Sequence, residues 1–72
     1  MDRHGLVCRA VLEQPDITQR ELAGKLDVSL GTANGLIKDC LAKGYIGEKS
    51  SQKGKARWRL RAEGQKLLDQ YR

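Results

Sequence analysis

The sequence predicts a mainly α-helical fold with one small β-hairpin: three helices, the hairpin, then a closing helix. Three observations carry this. Apolar residues recur at helical spacing through residues 3–43. From Tyr45 to Leu60 the period changes to alternation around a polar link that contains Gly54. Helical spacing then returns through Leu67, Leu68 and Tyr71. A chain of 72 residues has room for one small domain, so residues 1–72 are read as a single unit, a candidate front domain of a longer protein.

The first helix spans residues 3–14. Leu6, Val7, Ala10, Val11 and Gln14 share a face, with Cys8 and Leu12 beside it. Pro15 ends it, because proline disfavours a helical conformation in the residue before it. Thr18 then opens a second helix over residues 19–26. Its hydroxyl can accept from the amide of Glu21, and the Glu21 carboxylate can reach back to the amide of Thr18, a reciprocal capping box. Ile17 before the cap and Leu22 after it have the spacing of a hydrophobic staple. Leu22, Ala23 and Leu26 form the apolar stripe.

Asp27-Val28-Ser29 interrupts that stripe, and Ser29 is a good cap for a third helix over residues 30–43. Ala33, Leu36, Ile37 and Cys40 form its inner stripe. Leu41 looks more outward, toward a later helix or a partner. Gly44 lies just past the end, where a left-handed residue is favoured. The outer face carries Gly31, Asn34, Gly35 and Lys38, flanked by Leu30 and Thr32. Each interior glycine costs about 1 kcal/mol relative to alanine. Close approach to a partner, close helix–helix packing and simple tolerance all account for it. Two short helices across a three- to four-residue turn form a helix-turn-helix, whose second helix enters a DNA major groove.

Tyr45–Ser50 and Ala56–Leu60 read as the two strands, linked by Ser51-Gln-Lys-Gly-Lys55. Ala56, Trp58 and Leu60 share one face, suited to packing on the helices. Arg57, Arg59 and Arg61 share the other, with Lys49, Lys53 and Lys55 toward the tip. Trp58 is better placed for the core than for base stacking, given its apolar strand neighbours. The last helix covers residues 62–71, and Gly64 within it marks either a close contact or a late start.

The net charge of +5 is uneven. Residues 1–42 balance to −1, whereas residues 43–72 balance to +6. A cationic second half suits a polyanion, although a charge of this size also suits plain solubility. Cys8 and Cys40 form no CxxC pair and His4 is the only histidine, so no metal and no cofactor is expected, and the cysteines read as buried free thiols. No run is long enough to span a membrane and no leader pattern appears, so a cytoplasmic protein without membrane partners is expected. No nucleophile–base spacing or phosphate-binding glycine loop is present, and an enzyme is not expected.

The specific wording sharpens the fold. Ile17-Thr-Gln-Arg-Glu-Leu-Ala23, Leu26-x-Val28-Ser-x-x-Thr32-Ala-Asn and Leu41-x-Lys-Gly-Tyr-Ile46 resemble the winged helix-turn-helix of MarR-type bacterial regulators. Leu60-Arg-Ala-Glu-Gly-Gln-Lys-Leu-Leu68 is similar to that family's post-wing signature, with Arg61 where threonine is usual. The third-helix wording is also similar to small regulators tied to exopolysaccharide loci and to winged domains at the front of nucleotidyltransferases.

The resemblance implies transcriptional regulation through double-stranded DNA, with homodimerisation through segments outside this chain. It places residues 30–43 in the major groove and the wing, residues 46–60, on the backbone or in the minor groove. Ser29 and Thr32 would donate hydroxyl hydrogen bonds, Ser29 to a phosphate. Asn34 would pair with an adenine edge, and Lys38 would reach a guanine edge or a phosphate. Leu30, Gly31 and Gly35 would complete the helix surface. Gln19 and Arg20 would touch a phosphate, and Lys53, Lys55 and Arg57 would seat the wing. The same residues also read as a plain cap, solvated polar positions and a solubilising hairpin. A protein-interaction or autoregulatory winged domain of a larger enzyme is the competing class.

Overall fold

The computed structural model describes residues 2–48 and 58–71. The order is α1 (Arg3–Glu13), α2 (Gln19–Leu26), α3 (Leu30–Ala42), β1 (Ile46–Glu48), β2 (Trp58–Leu60) and α4 (Ala62–Asp69). This is the expected mainly helical fold with a two-stranded antiparallel hairpin and a closing helix.

Local chemistry sets the helix ends. The Asp2 carboxylate accepts from the Gly5 amide at 2.8 Å and caps α1. At α2 both halves of the capping box form: the Glu21 amide donates to Thr18 Oγ1 at 3.1 Å, and the Thr18 amide donates to Glu21 Oε1 at 2.9 Å. Ile17 and Leu22, the staple pair, are both fully buried. Thr18→Ala removes one of the two bonds and leaves an amide at the helix start unsatisfied. A loss of about 1 kcal/mol is expected in a urea melt. A midpoint equal to wild type would show that water replaces the hydroxyl at no cost.

Between α2 and α3, Asp27 takes a left-handed conformation with φ 58°. Its amide and that of Val28 return to carbonyls of α2, so the reversal occupies three residues. Ser29 then caps α3. At the far end Gly44 is left-handed with φ 76°, as its position predicts.

The core lies where α1 meets α2, α3, α4 and β2. It is built from Val7, Cys8, Val11, Ile17, Leu22, Ile37, Cys40 and Ile46, with Trp58, Leu60, Leu67 and Leu68 packed against it. The buried face of α1 corrects the sequence reading in one respect. Cys8, expected beside the face, is completely buried, whereas Leu6 is half-buried and Leu12 is 52% exposed. Neighbours on several sides of α1 shift the burial toward Cys8. On α3, Ala33, Ile37 and Cys40 are buried and Leu36 is half-buried. Leu36 lies about 100° around the helix from Ile37 and falls at the margin of the stripe. Leu41 is half-buried against the core cluster.

Two contacts tie α1 to α3. His4 Nε2 hydrogen-bonds Asp39 Oδ2 at 2.6 Å. Cys8 on α1 and Cys40 on α3 are neighbours in the core, and the nearby Cys8 thiol together with burial raises the Cys40 thiol above its ordinary pKa. Both are free and buried.

The hairpin pairs Ile46 with Leu60, Gly47 with Arg59 and Glu48 with Trp58. The outer portions of the two expected strands and their link, residues 49–57, lie outside the described residues. Gly64 does mark a close contact. A Cβ there would stand 2.2 Å from the carbonyl oxygen of Tyr45 and 2.7 Å from Leu60 Cδ1.

Candidate nucleic-acid interface

The exposed side of α3 follows from its buried side. Ala33, Ile37 and Cys40 point into the core, so Gly31, Gly35 and Lys38, at helical spacing opposite them, face outward. Leu30 and Thr32 are exposed at the start of the helix, and Asn34 is half-buried. No side-chain hydrogen bond engages Asn34 among the described residues, so its carboxamide keeps both its donor and its acceptor. Among the described residues the glycines gain no packing. A Cβ on Gly35 would meet nothing within 4 Å, and one on Gly31 would meet only Ser29 Oγ at 3.9 Å. Close helix–helix packing therefore does not explain either glycine.

Ser29 and Thr32 form a coupled pair. Ser29 Oγ accepts from the Thr32 amide at 3.1 Å and donates to Thr32 Oγ1 at 3.0 Å. The two hydroxyls share this hydrogen bond, and the serine oxygen is also engaged by the Thr32 amide as the helix cap.

Gln19 bridges the two helices of the motif. Its Nε2 donates to the carbonyl oxygen of Leu30 at 3.2 Å. The side chain expected to touch phosphate therefore also fixes where α3 begins. Arg20 beside it is exposed. This inter-helix bond was not signalled by any local pattern, since it depends on the angle at which the helices meet.

The structure thus brings Gln19, Ser29, Leu30, Gly31 and Thr32 together around the start of α3, with Asn34, Gly35 and Lys38 following along the helix. Lys53, Lys55 and Arg57 lie outside the described residues. Two further hairpin cations are described. Arg59 and Arg61 are exposed, and their side chains lie over Gly47, within 3.2–3.6 Å of where its Cβ would be. The alternation of the second strand had placed them on its outward face.

A family model for winged helix-turn-helix DNA-binding domains matches residues 9–46. The chain belongs to this family. The match runs from the middle of α1 through α2, the turn and α3 into β1, and so covers the whole helix-turn-helix. No curated protein and no solved structure matches the chain. The second helix of the matched motif is α3, the one with the bare outer face.

Among the described residues, no group of three His, Cys, Asp or Glu side chains is placed to hold a metal ion. Among the described residues no helix is long and apolar enough to cross a membrane.

Proposed function

We propose that this chain is a transcriptional regulator that binds double-stranded DNA in a sequence-dependent way, with α3 in the major groove. The observation that carries the reading is the outer face of α3, open along Gly31 and Gly35 and edged by Thr32, Asn34 and Lys38. Thr32 donates to a base edge or phosphate, Asn34 pairs with an adenine edge, and Lys38 reaches a guanine edge or a phosphate. Ser29 acts mainly as the cap that holds Thr32. Arg20 and the free groups of Gln19 meet the backbone. Lys53, Lys55 and Arg57 seat the wing on the backbone or in the minor groove. Such contacts set the register, and the few base-reading groups give one copy modest specificity.

On this reading residues 1–72 act as one binding module without catalysis of its own, in the manner of MarR-type cytoplasmic regulators. Dimerisation through segments outside this chain would supply the second half-site. A protein-interaction role is the alternative, favoured by one feature. Leu12 and Tyr71, both exposed, line an open groove of about 270 Å³ between α1 and α4 with Leu68, Arg9 and Glu13.

Titration of isotopically labelled protein with a mixed-sequence duplex at two salt concentrations separates the readings. Amide shifts should cluster at residues 29–38 and 53–57 and fade with salt. Four to six phosphate contacts give a log–log salt slope of about −4 to −5. Immobile α3 amides at low salt would dismiss DNA binding and direct attention to the groove.

A further inference from the structure

We infer that Leu30 reads the methyl group of thymine, making the duplex sequence that this chain prefers sensitive to C5 methylation of its pyrimidines. The inference rests on the proposed placement of α3 in the major groove. Three large apolar side chains are exposed among the described residues: Leu12, Leu30 and Tyr71. Leu12 and Tyr71 line the groove between α1 and α4 together. Leu30 stands apart from them, 45% exposed, at the first position of α3.

Its position is held from both sides. Ser29, the preceding residue, is the cap, with its hydroxyl bonded to Thr32. The Leu30 carbonyl oxygen accepts from Gln19 Nε2. The next residue is Gly31, which has no side chain, and Gly35 one turn later leaves the helix surface low. Leu30 therefore projects as an exposed apolar group beside the hydroxyl of Thr32. The first residues of a recognition helix are the ones that reach base edges.

The chemistry of the groove narrows what an isobutyl group can recognise there. The only sizeable apolar group on the major-groove edge is the C5 methyl of thymine; apart from small C–H groups such as cytosine C5–H, the rest are hydrogen-bond donors and acceptors. A leucine cannot satisfy a donor or an acceptor, and against one it leaves a desolvated polar group. Against the methyl it buries apolar surface on both sides. Thr32 next to it can donate to the adjacent O4 of the same thymine or to the N7 of a neighbouring purine.

The test uses the duplex that the wild-type chain selects from a random pool. Each thymine is replaced in turn by deoxyuridine, which removes only the methyl and keeps every hydrogen-bonding group. Wild type should lose about three- to fivefold in affinity at one thymine per bound copy, the worth of one buried methyl. Leu30→Ala should bind the thymine and uracil duplexes equally. Replacing the critical uracil pair by a cytosine pair, with and without a 5-methyl group, should restore part of the discrimination for wild type alone. Uniform tolerance of uracil by wild type, or a loss that persists in Leu30→Ala, overturns the assignment while leaving DNA binding intact. Failure to bind any duplex at low salt overturns the DNA reading itself. Because Leu30 is exposed, the alanine variant should keep the wild-type amide spectrum away from the substitution.

Discussion

Gly64→Ala should lower the melting temperature by more than about 10 °C, a large effect for the addition of one methyl group. The added Cβ would lie 2.2 Å from the Tyr45 carbonyl oxygen, 3.1 Å from its carbonyl carbon and 2.7 Å from Leu60 Cδ1. A side chain such as Leu60 can swing aside, but the carbonyl cannot. The Tyr45 oxygen accepts from the Arg61 amide at 2.9 Å, while the Tyr45 amide donates to Cys40. Relief must come from α4 lifting off the hairpin. That withdraws Leu67 and Leu68, which pack against the core cluster. A cost on the order of 3 kcal/mol follows from this overpacking and partial uncovering. In a chain this small that is a large part of total stability. A urea midpoint within error of wild type would mean that α4 contributes little to holding the core.

Gly35→Leu should have the opposite profile: a stable protein that has lost at least about tenfold in affinity for duplex DNA. Among the described residues nothing lies within 4 Å of a Cβ at this position, which leaves space for the new side chain. Leucine is also the better helix former, by up to about 1 kcal/mol relative to glycine. The thermal midpoint should therefore rise or stay level. Four added carbons on the groove-facing side hold the helix away from the base edges, and the bonds proposed for Asn34 and Lys38 lengthen together. A fluorescence-anisotropy titration at fixed salt reads the loss. If affinity is unchanged while the midpoint rises, Gly35 is outside the interface and α3 must be rotated in the groove.

These two glycines show where the sequence is readable and where it is not. Both break a helical pattern, and nothing local distinguishes them. Gly64 serves a tertiary contact with a residue far earlier in the chain, whereas Gly35 serves none within the described residues. The signals that were legible are those that act over three or four residues. Thr18 with Glu21, Ser29, Pro15 and Gly44 set the helix ends to within a residue. Ile17 and Leu22 announced their own burial. The order of elements followed from changes in apolar period. What escaped were contacts between elements: Gln19 to the Leu30 carbonyl, His4 to Asp39, and the meeting of the Cys8 and Cys40 thiols. Each depends on crossing angles that the sequence pattern does not encode. The candidate DNA face was legible as a set of residue types on one side of α3. The pairing of the Ser29 and Thr32 hydroxyls was not, because it depends on the side-chain rotamers at the cap.

The caps of the helices carry an electrostatic consequence that residue charges do not convey. The aligned peptide dipoles of a helix place about half a positive charge at its N-terminal end. At α1 the Asp2 carboxylate sits on that end, at α2 Glu21 does so, and at α4 Glu63 lies in the first turn. Each of these three ends is compensated by an anion of its own. The start of α3 has a neutral serine cap and no acid in its first turn. Its partial charge is left to whatever faces it. The first half of the chain sums to −1 and would be judged indifferent to a polyanion on that count. The dipole of α3 contributes a partial positive charge at its start, and that contribution comes from backbone rather than from lysine or arginine. Substituting surface cations would leave this attraction in place, whereas an aspartate at the cap of α3 would cancel it.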